Sequence, residues 1–134
     1  MIKHLEHIGI AVKSLKESSE VFKKLFNDPA YKTEEVSSEG VKTQFYKVGN
    51  VKVELLEATS PDSAISKFIN KKGEGVHHLA FEVDNIKQEM KRLKKQGFSI
   101  INDAPKNGAD NKSIFFLHPK STNSVLIELC QEKS

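Results

Sequence analysis

Glu6-His7-Ile8-Gly9-Ile10-Ala11-Val12 opens a pattern that returns as His77-His78-Leu79-Ala80-Phe81-Glu82-Val83. In both segments a histidine lies in a run whose side chains alternate between small and bulky, which predicts a β-strand with one buried face. His78 follows His7 by 71 residues, and the segments after each histidine repeat the same order of elements. The chain is therefore predicted to contain two copies of one unit.

Each copy also carries a glutamate in the middle of an apolar strand pattern. The two segments are Lys52-Val53-Glu54-Leu55-Leu56 and Leu126-Ile127-Glu128-Leu129-Cys130. Because side chains alternate along a strand, the large aliphatic residues share one face, and the histidines and glutamates lie on the other. A carboxylate in such a strand is costly to bury unless another group compensates its charge.

The matched positions favour one site made of His7, Glu54, His78 and Glu128. A single histidine in a strand is more often a hydrogen-bonded structural residue, and a single glutamate in a strand is more often solvated. Four unrelated residues, however, would not be expected to occupy matched positions in the two copies. Two imidazoles and two carboxylates suit a first-row transition ion, whereas Mg²⁺ and Ca²⁺ normally take oxygen ligands. A five- or six-coordinate ion would keep open positions, which indicates a catalytic site.

Each copy is predicted to run β-α-β-β-β. Amphipathic helices follow Ser14 and the Asp84-Asn85 pair, which are candidate N-caps, and Gly97 is a candidate C-terminal cap. The predicted strands after the helices are 32–37, 41–48 and 51–57 in the first copy and 99–102, 112–118 and 124–131 in the second. A helix over 61–71 links module 1–60 to module 75–134 within one domain, residues 1–134, of class α+β.

Composition excludes several classes of function. The chain has 134 residues, 37% hydrophobic and 29% charged, with a net charge of +3, which is too small and dispersed to predict nucleic-acid binding. No apolar run approaches the roughly 20 residues that span a bilayer, so no membrane association is expected. The single cysteine, Cys130, fits a reducing compartment, and a cytoplasmic location is expected.

The quoted segments resemble the vicinal oxygen chelate superfamily, which includes glyoxalase I, bleomycin-resistance proteins and extradiol dioxygenases. Gly73-Glu74-Gly75-Val76-His77-His78 and His118-Pro119-Lys120-Ser121 are most similar to its methylmalonyl-CoA epimerase branch. The resemblance implies a glyoxalase-like fold, in which two β-α-β-β-β modules pair into a cupped mixed sheet around a metal site.

The resemblance also implies a chemistry. The family's metal ligands fall on His7, Glu54, His78 and Glu128, and the ion would be Co²⁺ first, with Mn²⁺, Ni²⁺ or Zn²⁺ as alternatives. The substrate would be an acyl-CoA thioester, inverted at its α-carbon through an enolate by a homodimeric enzyme. Glu128 and Glu54 are the expected proton-transfer groups, because Thr43 and Gln44 stand where some epimerases have an acid.

Two other functions within the superfamily remain open from the residues. A glyoxalase I-type lactoylglutathione lyase would use the same four ligands, and a binding protein of the bleomycin-resistance type would usually have no metal. The remaining histidines, His4, His77 and His118, are not expected to be ligands. Cys130 shares the face of Glu128 and is expected to be a small buried residue. Four loop lysines could meet an anionic substrate tail: Lys71, Lys72, Lys106 and Lys120.

Overall fold

The predicted repeat of elements is present in the computed structural model, which describes residues 1–133. Eight strands and three α-helices occur there in the order β-α-β-β-β, α, β-α-β-β-β. Their bounds are β1 Ile2–Ala11, α1 Leu15–Phe26, β2 Lys32–Val36, β3 Val41–Val48, β4 Val51–Ala58, α2 Ala64–Lys72, β5 Gly75–Val83, α3 Ile86–Lys95, β6 Lys106–Gly108, β7 Lys112–Leu117 and β8 Ile127–Glu132. Two 3₁₀ turns, Ser37–Glu39 and Pro119–Ser121, complete the set.

The chain divides into two compact units. The His7 unit contains residues 7–77, and the His78 unit contains residues 1–6 together with the residues from 78 onward. Strands β1 and β5 each contribute residues to both units. The module limits 1–60 and 75–134 stay a prediction.

The His7 unit has the strand order β2-β3-β4-β1. Strand β4 pairs antiparallel with β3 and parallel with β1, so the sheet is mixed. Helix α1 covers one side of it, where its aromatic residues pack on alternate residues of β3 and β4. The resulting core contains Val12, Leu15, Phe22, Phe26, Tyr46, Val53 and Leu55. Because Glu54 alternates with Val53 and Leu55, its side chain points away from α1.

The His78 unit repeats this plan with the strand order β5-β8-β7-β6. Strand β8 pairs parallel with β5 and antiparallel with β7. Helix α3 covers the side that holds the bulky residues, and the core there contains Val83, Ile86, Met90, Leu93, Phe115, Leu117 and Leu129. The predicted α+β class, with a mixed sheet whose aliphatic face is covered by α1 and α3, is confirmed.

The helices begin at the predicted side-chain caps. Ser14 accepts a hydrogen bond from the backbone N–H of Glu17 at 3.2 Å, and Asn85, of the two candidates, accepts one from Gln88 at 3.2 Å. Each bond satisfies an N–H group that the first helical turn leaves without a partner. Gly97 follows the last turn of α3 with φ +91°, a conformation that side chains disfavour. No helix within residues 1–133 is long and apolar enough to cross a membrane.

Two strand predictions in the second copy were wrong. The strand expected at 99–102 is only a single bridge between Ile100 and Leu117, and the third strand lies instead at β6. The Asn102 side chain accepts the backbone N–H of Phe116 at 2.9 Å, so a side chain ends the backbone pairing there. Strand β8 starts at Ile127 rather than 124, since Asn123 and Ser124 have positive φ angles of 55° and 71°.

Replacing Leu93 with Ala should lower the free energy of unfolding by about 2–5 kcal/mol, because the change opens a cavity under α3. Leu93 is 5% exposed and lies in the core of the His78 unit. Urea denaturation measures the loss. Lys94→Ala, an exposed neighbour on the same helix, should change stability by less than about 0.5 kcal/mol. Equal effects of the two substitutions would contradict the assignment of this core.

Candidate metal centre

His7 and Glu54 form a buried pair on the side of the His7 unit that faces away from α1. The Nδ1 atom of His7 lies 3.1 Å from Oε2 of Glu54, and their side chains are 5% and 6% exposed. The parallel register places Glu54 opposite Gly9, two residues beyond His7 on the same face of β1. The absence of a side chain on Gly9 leaves the space beside His7 to the glutamate.

His78 and Glu128 form the corresponding pair in the His78 unit. The Nε2 atom of His78 lies 3.4 Å from Oε1 of Glu128, and these side chains are 6% and 7% exposed. Glu128 is opposite Ala80 in the parallel register between β5 and β8, as Glu54 is opposite Gly9. Each unit therefore contains one imidazole nitrogen and one carboxylate in contact, both removed from solvent.

An aromatic ring and a lysine flank each pair. Phe45 is directly opposite Glu54 and Phe116 directly opposite Glu128 in the antiparallel registers. The ammonium group of Lys32 lies 5.3 Å from the centre of the Phe45 ring, and that of Lys106 lies 5.8 Å from the centre of the Phe116 ring. Both distances are typical of a cation–π contact. The duplication thus extends to the phenylalanines, whereas the lysines come from different strand positions: Lys32 pairs directly with Phe45, and Lys106 pairs with Ile114.

The donor atoms of the two pairs fit a transition-metal ion. His7, Glu54, His78 and Glu128 are all buried, and their nitrogen and carboxylate donors are those that ions such as Co²⁺, Mn²⁺, Ni²⁺ and Zn²⁺ accept. A carboxylate taken out of water needs a compensating charge nearby, which a divalent ion would provide. Each pair by itself offers two ligands.

The other histidines lie outside the two His–Glu pairs. His77 points away from His78, and its ring meets the Phe68 ring edge-on with centroids 5.0 Å apart. Burial, with a smaller effect from Lys72, lowers the pKa of His77 to about 4, so its ring is neutral at pH 7. His4 and His118 are exposed, and Nδ1 of His118 accepts the backbone N–H of Lys120 at 3.1 Å.

Cys130 lies on the face of Glu128 and is completely buried. Burial raises the pKa of its thiol, and the negative charge of Glu128 adds to the effect. The thiol is therefore protonated at neutral pH. It packs with Ala80 and Ile114, as expected of a small buried residue.

Thr43 and Gln44 occupy the third strand of the His7 unit. Thr43 is 1% exposed and directly opposite Leu56, so it lies on the face of Glu54. Gln44 points to the α1 side, where its carbonyl accepts a hydrogen bond from the hydroxyl of Tyr46 at 3.3 Å. Neither side chain is a carboxylate, so neither can serve as a carboxylate base.

A buried charged cluster in the His78 unit was not anticipated from the sequence. The Lys112 ammonium group is 3.9 Å from the carboxylates of both Glu6 and Glu82, and Lys3 meets Glu82 at 3.2 Å. Glu6 and Lys112 are 5% and 4% exposed. Strand alternation already places Glu82 with His78 and Lys112 with Phe116.

Comparison with known proteins identifies the family. Residues 6–116 match the Glyoxalase/Bleomycin resistance protein/Dioxygenase superfamily. The chain belongs to this superfamily. It is 36% identical over 132 residues to the uncharacterized protein YqjC of Bacillus subtilis, covering 98% of this chain and 94% of that protein. It is 39% identical over 129 residues to the mitochondrial methylmalonyl-CoA epimerase of Dictyostelium discoideum, covering 96% and 78%.

A solved superfamily structure supports the same fold. A variant of Streptomyces coelicolor methylmalonyl-CoA epimerase, in complex with 2-nitronate-propionyl-CoA, is 31% identical, with a TM-score of 0.95 and 100% of each chain covered. The glyoxalase-like fold expected from the resemblance is confirmed.

Replacing Lys112 with Met should destabilise the protein by about 3–5 kcal/mol, because it leaves Glu6 and Glu82 without their shared buried cation. Thermal and urea unfolding measure the loss. The matched control is Lys3→Met: Lys3 also contacts Glu82 but its side chain is 52% exposed, so the cost should stay below about 1 kcal/mol. Similar stabilities for the two variants would contradict a buried ion cluster.

Proposed function

We propose that this protein is a metal-dependent epimerase that inverts the α-carbon of methylmalonyl-CoA. The observation that carries the proposal is the pair of buried His–Glu contacts, one in each unit. Similarity to methylmalonyl-CoA epimerases over nearly the whole chain supports the choice of substrate. A homodimer in the cytoplasm is the expected form of the enzyme, and both properties stay predictions.

We propose that His7, Glu54, His78 and Glu128 together hold one divalent ion. The ion would be Co²⁺ first, with Mn²⁺, Ni²⁺ or Zn²⁺ as alternatives. When bound, such an ion supplies Lewis-acid polarisation of the substrate oxygens, which makes the proton between a carboxylate and a thioester more acidic. The histidines would provide the nitrogen ligands, and the glutamates would provide the negative charge that retains a dication.

Inversion requires a proton to leave one face of the α-carbon and another to arrive on the opposite face. Glu128 is the first candidate for one of these transfers, since its carboxylate lies in a water-poor site beside His78. Glu54 is the corresponding candidate in the His7 unit. Burial keeps both His–Glu pairs largely out of contact with bulk water.

The two rival functions are separated by substrate and by metal. A lactoylglutathione lyase would act on methylglyoxal plus glutathione, and a sequestering binding protein would turn over neither substrate. We therefore expect the cobalt-loaded protein to epimerise methylmalonyl-CoA and to leave the glutathione hemithioacetal unchanged. The opposite selectivity would favour the lyase, and no turnover together with no metal binding would favour the binding protein.

Replacing either His7 or His78 with Ala should weaken Co²⁺ binding by more than about 100-fold. Loss of partners outside the ligand shell of a metal already costs about 10–100-fold, and loss of a ligand should cost more. Isothermal titration calorimetry measures the affinity, and cobalt absorption reports the ligand field. His4→Ala is the matched control, because His4 is exposed on the same strand as His7. Unchanged cobalt binding by both variants would contradict the site.

Replacing Glu128 with Gln should slow solvent-deuterium exchange into the methylmalonyl-CoA epimer whose α-proton faces Glu128 by at least about 100-fold, because the amide keeps an oxygen but cannot carry the proton. Proton NMR in D₂O measures the exchange. Glu132→Gln, an exposed change on the same strand, should leave the rate unchanged. Wild-type exchange by the folded Glu128→Gln protein would refute the role of Glu128.

A further inference from the structure

We propose that Glu34, rather than Glu54, exchanges the proton on the His7 side of the substrate. This proposal rests on the proposed epimerase function. If Glu54 and Glu128 both took up protons, both oxygen ligands would be weakened within one turnover, because metal ligands bind in their deprotonated form. A separate carboxylate on one side avoids that loss.

The strand registers place Glu34 on the face that carries Glu54. Glu34 on β2 is directly opposite Thr43, which is directly opposite Leu56 on β4. Residues that pair directly across strands project from the same face, and Leu56 shares the face of Glu54. On this face of β2, β3 and β4, within the described residues, Glu34 and Glu54 are the two carboxylates.

The surroundings of Glu34 suit a group that meets substrate and solvent. Its side chain is 31% exposed, and its Oε1 lies 3.2 Å from the ammonium group of Lys32. Lys32 in turn lies over the ring of Phe45, the residue opposite Glu54. The ion pair is therefore on the same face of the sheet as Glu54. Two strand spacings, roughly 10 Å, separate β2 from β4, and Thr43 and Phe45 of β3 lie between them on this face.

The duplication is broken at this position. Ile114 follows Thr43 by 71 residues, the same interval that relates Phe116 to Phe45, and its partner on the outer strand is Lys106. The position that holds an acid in the His7 unit therefore holds a cation in the His78 unit. This asymmetry singles out Glu34 on the His7 side, and Glu128 stays the proposed proton-transfer group on the other.

The proposed step balances as a proton transfer. The Glu34 carboxylate takes the α-proton: the C–H bond breaks, an O–H bond forms, and the electron pair moves into the thioester carbonyl to give the enolate. Glu128 in its acid form then donates a proton to the opposite face, and the electron pair returns to make the new C–H bond. The other epimer reacts in the reverse sense, and both carboxyl groups re-equilibrate with water.

The experiment compares Glu34→Gln with Glu35→Gln in the cobalt-loaded protein. Glu35 is the adjacent residue on β2, points to the opposite face and is exposed. Epimerisation and deuterium uptake are measured from each epimer of methylmalonyl-CoA separately. Glu34→Gln should slow epimerisation by at least about 100-fold yet keep exchange from the one epimer whose proton faces Glu128. Glu35→Gln should match the wild type.

Three results would overturn the proposal. The first is an epimerisation rate for Glu34→Gln within about threefold of the rate for Glu35→Gln. The second is an equal loss of deuterium exchange from both epimers in Glu34→Gln. The third is weaker cobalt binding by Glu34→Gln, because that result would assign Glu34 to the metal site. Glu34→Asp should retain exchange from both epimers at a reduced rate. A wild-type protein without epimerase activity would instead refute the proposed function.

Discussion

Two glutamates inside β-strands constrain this structure. Glu54 and Glu128 lie among aliphatic neighbours that pack against helices, and the contact of each glutamate with a histidine is almost closed to solvent. An isolated carboxylate in such a place would be costly, so the strands that hold these residues have to present partners for them. The residues opposite them, Gly9 and Ala80, are both small.

Duplication explains how a short chain presents four such residues in matched surroundings. Each unit repeats a histidine strand, a helix on the aliphatic side, and a glutamate strand with a phenylalanine opposite it. The substrate proposed for this site is not symmetric, since it has a carboxylate at one end and a thioester at the other. We therefore infer that the two sides of the proposed site differ where the repeat is broken. One such position is Glu34, which corresponds to Lys106 in the His78 unit.

The repeat, the helix caps and the faces of His7, Glu54, His78 and Glu128 were predictable from the sequence, because alternation and capping are local properties. The last strands of the second copy were less predictable from the sequence. The Asn102 side chain replaces a backbone partner of β7, and positive φ angles at Asn123 and Ser124 delay β8. These local changes depend on which segments come into contact in the fold. The periodicity of the sequence therefore does not predict them.

The charged cluster of Glu6, Glu82 and Lys112 escaped prediction for a related reason. Each of its residues alone fits an ordinary solvated position, and only the tertiary arrangement shows that Lys112 is buried between two carboxylates. The hypothesis of a metal site was accessible from the sequence because the His and Glu positions repeat. The identity of the ion was not, since His and carboxylate donors suit several transition metals.

The stoichiometry of tightly bound metal tests the central claim most directly. The protein, purified without chelators and loaded with excess Co²⁺, would be dialysed and its metal content measured by mass spectrometry against its amino-acid content. One shared site predicts one Co²⁺ per chain, lost on replacement of a histidine from either half. Two Co²⁺ ions per chain, one for each His–Glu pair, or none at all, would contradict the account.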